Sequence, residues 1–374
     1  MRLAWHNIAH DRGRFLVTIF GITCATLLMI IQGSILIGFL GAASKIIDAT
    51  DSDLWIAGRG ASCFEFPVLL ARNVEELAHG VPGVVETSRI VTRIVPLRKA
   101  DGGQPLVTLV GADPGVGPRF PMPAVVGSEG GAVEPHALLI DESSSSLLDA
   151  SQPMPQSVEL NEQRANVIRR TSGFSSFLGT PYVFTNFVDG ARYAGLRRAD
   201  VMFILVRLQA GSSLQGVQRR LRERLPNADV WTKAEFAKRA QVYWMSQTGA
   251  GGAILAAALL GFIIGLAIVS QATYATTMEH IEEFATLKAL GATHGFVVRV
   301  IVSQALTCGI LGYVLGVIVS GPAIRYARTA IPWLATPPSL PLLILPVALI
   351  ICVLASILSV RAALAIEPAK VFRA

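Results

Sequence analysis

Four long stretches without charged residues constrain this chain more than any other feature. The stretches are Phe15–Ser44, Ala240–Met278, Val300–Ile324 and Thr329–Val360, and none of them contains Asp, Glu, Lys or Arg. A helix needs roughly 20 apolar residues to span the hydrocarbon core of a bilayer. Composition agrees, because only 16% of the residues are charged, against about 25% in soluble proteins. The sequence therefore predicts an α-helical membrane protein with four transmembrane helices.

We interpret the first stretch as a membrane anchor that is not cleaved from the protein. The apolar region of a cleaved signal peptide is about 7–15 residues long, and Phe15–Ser44 is about twice that length. Basic residues precede the first stretch, at Arg2, Arg12 and Arg14, and others follow the last stretch, at Arg361, Lys370 and Arg373. By the positive-inside rule both termini are cytoplasmic, and an even number of spans agrees with that orientation. We therefore predict a multi-pass protein of the bacterial inner membrane.

This topology divides the chain into segments whose bounds follow the charge pattern. They are a cytoplasmic amphipathic lead-in (1–14), the first transmembrane helix (15–42), a large extracytoplasmic domain (43–248), the second transmembrane helix (249–277), a cytoplasmic helix and turn (278–295), the third transmembrane helix (298–324), an outer loop (325–339), the fourth transmembrane helix (340–361) and a cytoplasmic tail (362–374). The large domain then lies between transmembrane helices 1 and 2 and is periplasmic.

The large domain mixes strand-like and helical patterns. The strand-like runs are Asp53–Ile56, Val84–Pro96, Pro105–Val110 and Val201–Leu208, and the helical patterns are Asn73–Ala78, Ser213–Leu225 and Ala234–Met245. Such a mixture on this scale predicts an α+β domain, with two subdomains. The last of these patterns could run into the second span as a stalk.

No motif in the sequence predicts catalysis. The patterns GxxxxGK[ST], HExxH and GxSxG are absent, and Ser143–Ser146 has no spaced His base to activate a nucleophile. Cys24, Cys308 and Cys352 lie in the predicted spans, where packing is their expected role, and Cys63 is alone in the large domain. Three interpretations of Cys63 stay open: a free thiol, a lipid-modified residue, or a link between chains. We expect a chain that is not an enzyme and that holds no metal or cofactor and no nucleic acid.

The cytoplasmic segment from Met278 to Gly291 has the spacing of a short amphipathic helix. Its apolar residues recur every three positions, at Met278, Ile281, Phe284, Leu287 and Leu290. Three acids, Glu279, Glu282 and Glu283, fall on the other side, with Lys288 in the last turn and Gly291 at the expected C-cap. Such a helix either lies in the bilayer surface or docks a protein partner. The acids favour docking, because helices that lie on anionic lipid usually carry Lys and Arg.

At these residues the chain resembles the MacB/FtsX-type ABC transporter permeases. The resemblance lies in Glu283, Lys288, Ala289, Leu290, Gly291, Ala292 and Thr293, in the opening MRLAWHNIAHDRGRFLVTIFGI, and in the ending RAALAIEPAKVFRA with Pro368, Ala369 and Arg373. The variant EEFATLKALGAT looks closest to the DevC-like branch, which resembles heterocyst glycolipid exporters. Common members have basic residues where His280 and Glu282 stand and Gly where Ala285 stands.

The resemblance implies a permease homodimer paired with two copies of a separate ABC ATPase, which would bind ATP and Mg. Residues 278–291 would then be the coupling helix, which passes ATP-driven motion to the periplasmic domain (mechanotransmission). The implied cargo is a lipid, a glycolipid or another amphiphile, exported with an HlyD-like periplasmic adaptor and an outer-membrane channel. Two alternatives share this coupling helix: an FtsX-like signal transducer that regulates a cell-wall hydrolase, and a lipoprotein release permease.

Two pairs of glycines in the spans have GxxxG spacing, which lets helices approach closely. They are Gly261 with Gly265, and Gly312 with Gly316. Each pair could mark either the homodimer interface or helix packing within one chain, and the sequence does not choose between them.

Overall fold

The computed structural model describes residues 12–99, 102–113, 136–141, 156–171, 173–174, 176–279, 283, 286, 290 and 292–364. The chain divides into two compact units. We call Met1–Gly38 together with Gly251–Ala374 the helical unit, and Phe39–Ala250 the sheet unit.

The helices and strands along the chain follow the same division into two units. In chain order they are α1 (Arg12–Asp48), β1 (Leu54–Gly58), α2 (Val74–His79), β2 (Val84–Arg98), β3 (Leu106–Ala112), β4 (Ala137–Asp141), β5 (Gln156–Leu160), β6 (Gln163–Thr171), β7 (Tyr182–Asn186), α3 (Phe187–Tyr193), β8 (Phe203–Leu208), α4 (Leu214–Arg224), β9 (Ala228–Thr232), α5 (Lys233–Ser246), α6 (Gly249–Glu279), α7 (His294–Ala330) and α8 (Ser339–Leu364). Every described strand falls between α1 and α6 in the sequence.

Four of the helices in the described part of the chain are long and apolar enough to cross a membrane: Leu16–Asp48, Gly249–Gln271, His294–Ala330 and Ser339–Ile357. They correspond to the four stretches without charges. Helix α7 continues to Ala330, into residues that the sequence analysis assigned to an outer loop. Arg328 lies in its last turn, where a cation interacts favourably with the helix dipole, and its Nε donates to the carbonyl of Leu334 at 3.2 Å.

Both GxxxG pairs lie against α1 within the same chain. A Cβ atom on Gly312 would lie 2.6 Å from Cβ of Ile22, and one on Gly316 would lie 2.7 Å from Cβ of Thr26. On α6, the corresponding distances are 3.3 Å from Gly261 to Leu28 and 3.3 Å from Gly265 to Ala25. The small residues therefore allow α6 and α7 to approach α1 closely. A role of these glycines in a homodimer interface stays a prediction.

The membrane cysteines pack in the core of the helical unit. Cys308 and Cys352 are buried together with Ile22, Ala25 and Ile351. A Cβ atom on Gly309 would lie 2.8 Å from Sγ of Cys352, so α7 and α8 are in close contact there. The packing role that the sequence predicted for these two thiols is confirmed.

The strands of the sheet unit form one sheet, in the order β3-β7-β4-β6-β5-β2-β8-β1-β9 with an additional pairing of β3 with β2. That additional pairing closes β2, β3, β7, β4, β6 and β5 into a ring, from which β8, β1 and β9 extend. The ring and the extension share the long strand β2. Its first part pairs with β8, its middle pairs with β3 and its end pairs with β5. A division of this unit into two subdomains stays a prediction.

The core of the sheet unit is aromatic where β1 meets α5. The Trp55 ring lies 5.6 Å from that of Phe203 and 5.3 Å from that of Phe236, and all three side chains are fully buried. Side-chain caps begin the helices here: Ser213 Oγ accepts from the amide of Gly216, which fixes the start of α4 at the predicted position. The remaining predicted helix and strand positions in this unit are confirmed within a few residues.

Candidate functional site

The structure describes four of the ten residues predicted for ATPase coupling. Met278 and Glu279 end α6, Glu283 is helical, and Leu290 lies in a turn. The amide of Leu290 donates to the carbonyl of Thr286 at 3.0 Å, which is the four-residue spacing of an α-helix. The other six predicted coupling residues lie outside the described residues, namely Ile281, Glu282, Phe284, Leu287, Lys288 and Gly291.

The described coupling residues present a surface that is both apolar and acidic. The Leu290 side chain is 80% exposed and that of Met278 is 37% exposed, while Glu279 and Glu283 are also exposed. An apolar side chain as exposed as Leu290 gains from being covered by a partner. Within the described ranges, no group of His, Cys, Asp and Glu residues could hold a metal ion.

In the sheet unit, α5 lies where the sequence predicted an amphipathic helix before the second span, and we call α5 the stalk. It begins with a capping box: the Thr232 hydroxyl accepts from the amide of Glu235, and Oε2 of Glu235 accepts from the amide of Thr232 at 2.8 Å. Burial alone would raise the pKa of Glu235, but the hydrogen bonds from Thr232 and from Gln218 outweigh burial and lower that pKa. The charged carboxylate therefore fixes the N-terminus of the stalk. After α5, the helix is interrupted at Gln247–Thr248 before α6 begins.

Polar bonds join α5 to the last turns of α1, which also belong to the sheet unit. Nε2 of Gln241 donates to Oγ of Ser44 at 3.0 Å, and the Ser44 hydroxyl donates to Oδ2 of Asp48 at 2.7 Å. Nζ of Lys233 donates to the carbonyl of Thr50, just after α1. The stalk is therefore bonded to the end of α1 through Gln241 and to the residues just after α1 through Lys233.

A buried carboxyl group joins α5 to the sheet. Oε1 of Glu65 accepts from the Tyr182 hydroxyl of β7 at 3.1 Å, and Oε2 accepts from Nε1 of Trp244 on α5 at 3.3 Å. Cys63 also hydrogen-bonds to this carboxyl group. We call Cys63, Glu65, Tyr182 and Trp244 the Glu65 cluster. Its members are all buried, so these bonds form where water cannot replace them.

Burial sets the protonation of the Glu65 cluster. Burial raises the pKa of Glu65, against the hydrogen bonds that favour the charged form. Burial, followed by the nearby charge of Glu65, raises the pKa of Cys63 to about 12, and the same two causes raise the pKa of Tyr182. Cys63 is therefore a protonated, fully buried thiol. Among the three interpretations of this cysteine, the free thiol fits its burial.

An aromatic layer continues from the Glu65 cluster to α1. The Trp244 ring lies 4.7 Å from that of Phe177, and the Phe177 ring lies 5.2 Å from that of Phe39 on α1. Trp244 is only 5% exposed, so it packs. Sequence reasoning missed Glu65 altogether, since an acid next to two Phe residues carries no signal of its distant partners.

Two family models together match most of the chain. The MacB-like periplasmic core domain matches residues 15–224, and the FtsX-like permease C-terminal domain matches residues 238–368. The first match alone covers more than half of the chain. The chain therefore belongs to the MacB/FtsX-type family of ABC transporter permeases.

Two solved structures resemble part of the chain. The periplasmic region of MacB from Actinobacillus actinomycetemcomitans is 10% identical, with a TM-score of 0.37, and the match covers 51% of this chain and 94% of that one. The extracellular domain of the noncanonic ABC-type transporter YknZ from Gram-positive bacteria is 15% identical, with a TM-score of 0.35, covering 48% of this chain and 98% of that one. No curated protein matches the chain. The family assignment therefore rests on the two family models.

The family and the four apolar helices define a membrane-bound permease component with a large periplasmic α+β domain. Permeases of this family work in ABC transporter complexes with an ATPase. Within such complexes the permease is generally the non-catalytic transport component.

Proposed function

We propose that this chain is the permease subunit of an exporter in which ATP hydrolysis by a separate ATPase moves the periplasmic domain. The observation that carries the proposal is the bonding of α5 within the sheet unit. Gln241 bonds α5 to α1, and Trp244 bonds it through Glu65 to Tyr182 on β7. A displacement of the stalk would then be passed to the sheet through hydrogen bonds in a buried site, and would not be absorbed by a flexible linker.

The rest of the proposal follows the family and the charge pattern. Two permease copies would form a homodimer, and an ABC ATPase dimer would bind ATP and Mg beneath it, at the coupling helix. Both termini would be cytoplasmic, with the periplasmic domain inserted between transmembrane helices 1 and 2. The cargo would be a lipid, a glycolipid or another amphiphile, as in the DevC-like branch, and an HlyD-like adaptor and an outer-membrane channel would carry it onward.

The coupling role is tested with two variants and a matched control. Leu290→Asp places a charge on a side chain that is 80% exposed, and Tyr326→Asp does the same at the far end of α7, on a side chain that is 81% exposed. If Leu290 is an anchor for the ATPase, its charged variant costs at least about 1.4 kcal/mol and lowers ATPase binding about tenfold. We expect Glu283→Lys to weaken binding in the same direction and Tyr326→Asp to leave it unchanged.

The measurement is the amount of ATPase that co-purifies with the full chain from native membranes, together with its ATP-driven activity. Equal ATPase recovery from all three variants would show that residues 278–291 are not the docking element. The other chains and lipids in the same preparation separate the candidate functions. An adaptor and bound lipid support export, whereas a cell-wall hydrolase would support the transducer alternative.

A further inference from the structure

Four consecutive apolar residues, Phe66–Leu69, lie on the surface of the sheet unit. Phe66 is 51% exposed, Val68 is 41% exposed and Leu69 is 52% exposed. Both neighbours of this run are buried, since Glu65 belongs to the Glu65 cluster and Leu70 is 7% exposed. A run of exposed apolar residues is unfavourable in water, so such a patch usually marks a contact surface.

The run is held in a fixed position, which distinguishes it from a flexible loop tip. The amide of Leu70 donates to the carbonyl of Val201 at 2.8 Å. A Cβ atom on Gly58 would lie 2.5 Å from the carbonyl oxygen of Val68, so the run passes directly over the end of β1. These backbone contacts therefore fix the run in a position where its side chains are exposed.

The position of the run relative to the charge-free stretches indicates what covers it. The Phe66 ring lies 6.1 Å from that of Tyr243 and 5.9 Å from that of Trp244, in the last turn of α5 just before α6. Through Trp244 and Phe177, the run is continuous with Phe39, which lies within the charge-free stretch of α1. The run therefore lies beside chain segments that belong to the first and second charge-free stretches.

The charges beside the run fit a lipid surface. Arg59 and Arg72 precede and follow it in the sequence, and both are exposed. Between them in the sequence the only acid is Glu65, which is buried, and Asp229 of β9 accepts from the amide of Gly60 at 2.9 Å. An apolar surface flanked by cations is the pattern by which proteins bind anionic phospholipid.

We propose that Phe66–Leu69 inserts into the outer leaflet of the inner membrane, with Arg59 and Arg72 placed to contact lipid phosphate groups. This contact would hold the base of the periplasmic domain at the bilayer surface, directly beside the Glu65 cluster. The proposal uses the topology of the proposed function but not transport, so its failure would leave the export proposal standing.

The test compares two exposed leucines in the sheet unit. Leu69→Cys and Leu106→Cys replace side chains that are 52% and 53% exposed, and each carries a nitroxide label. The background is Cys24→Ala, because the other three cysteines are buried. The full chain is reconstituted into vesicles of phosphatidylethanolamine and phosphatidylglycerol, and collision rates of the label with oxygen and with a water-soluble nickel chelate are measured.

Oxygen concentrates in the bilayer and the nickel chelate stays in water. We expect the oxygen-to-nickel collision ratio to be severalfold higher at residue 69 than at residue 106. Equal ratios, with both labels open to nickel, would overturn the proposal. A label at residue 69 that neither reagent reaches would also overturn it, and spin–spin broadening would then identify a second copy of the chain as the occupant.

Discussion

Replacing Glu65 by Ala is expected to weaken the attachment of the stalk to the sheet. The substitution leaves the Tyr182 hydroxyl and the Trp244 indole N–H without their acceptor. Both donors are buried, at 1% and 5% exposure, so water cannot readily replace the carboxyl group. The variant is therefore expected to lose more free energy of unfolding than a variant that removes an exposed acid.

The magnitude follows from these two donors. A buried donor left without a partner costs about 1–3 kcal/mol, so two of them cost roughly 2–6 kcal/mol in the free energy of unfolding. For a unit of this size, 1 kcal/mol corresponds to about 2–4 °C in the unfolding temperature. We expect Glu65→Ala to lower the unfolding temperature of the sheet unit by roughly 5–20 °C.

Glu65→Gln is the matched control that keeps the shape of the side chain and removes its ability to ionise. Its amide oxygen can accept from Nε1 of Trp244 while its NH2 group donates to the Tyr182 hydroxyl oxygen, so only the Tyr182 O–H loses its acceptor. Glu76→Ala is the control for removing an exposed acid from the same unit. The assay is thermal unfolding of the detergent-solubilised full chain, followed by tryptophan fluorescence. If Glu65→Ala unfolds at the same temperature as Glu76→Ala, the reasoning about buried donors is refuted.

Two further predictions concern protonation and helix packing. Burial raises the folded-state pKa of Glu65. The stability that the protonated carboxyl group contributes is therefore complete at pH values below the ordinary Glu pKa of about 4.3. That stability is lost as the pH rises through the raised pKa of the folded state. Unfolding temperatures measured across this window should fall with pH in the wild type, and Glu65→Gln should lack this component; identical pH profiles would contradict the assignment. Gly312→Val should destabilise the helical unit by about 1–3 kcal/mol through its contact with Ile22. Gly321→Val on the same helix meets open space, so an equal loss of stability in both variants would refute the packing explanation.

The helices of this protein could be predicted from sequence because their signals are local. Each charge-free stretch is long enough by itself to define a span, whatever it packs against. Helix α5 was also predictable, since its amphipathic pattern is local. Its capping box at Thr232 and Glu235 is local as well, with the three-residue spacing that a cap requires.

The Glu65 cluster could not be predicted, because its bonds depend on the order of strands in the sheet. Tyr182 lies 117 residues after Glu65, and Trp244 lies 179 residues after it. No short pattern encodes contacts at such separations. The glycine pairs show a related limit: GxxxG spacing indicates close approach to a helix but not to which one, and Gly312 faces α1 of its own chain.

The position of β1 has a consequence for how the protein is made. All five residues of β1 are buried, yet its two partners, β8 and β9, begin at Phe203 and Ala228. During synthesis at about 5–20 residues per second, β1 waits roughly 9–35 s for the end of β9. Throughout that time both edges of this apolar strand lack their partners. Biogenesis of this permease therefore includes an interval in which β1 is unpaired, and that interval ends before the second span is synthesised.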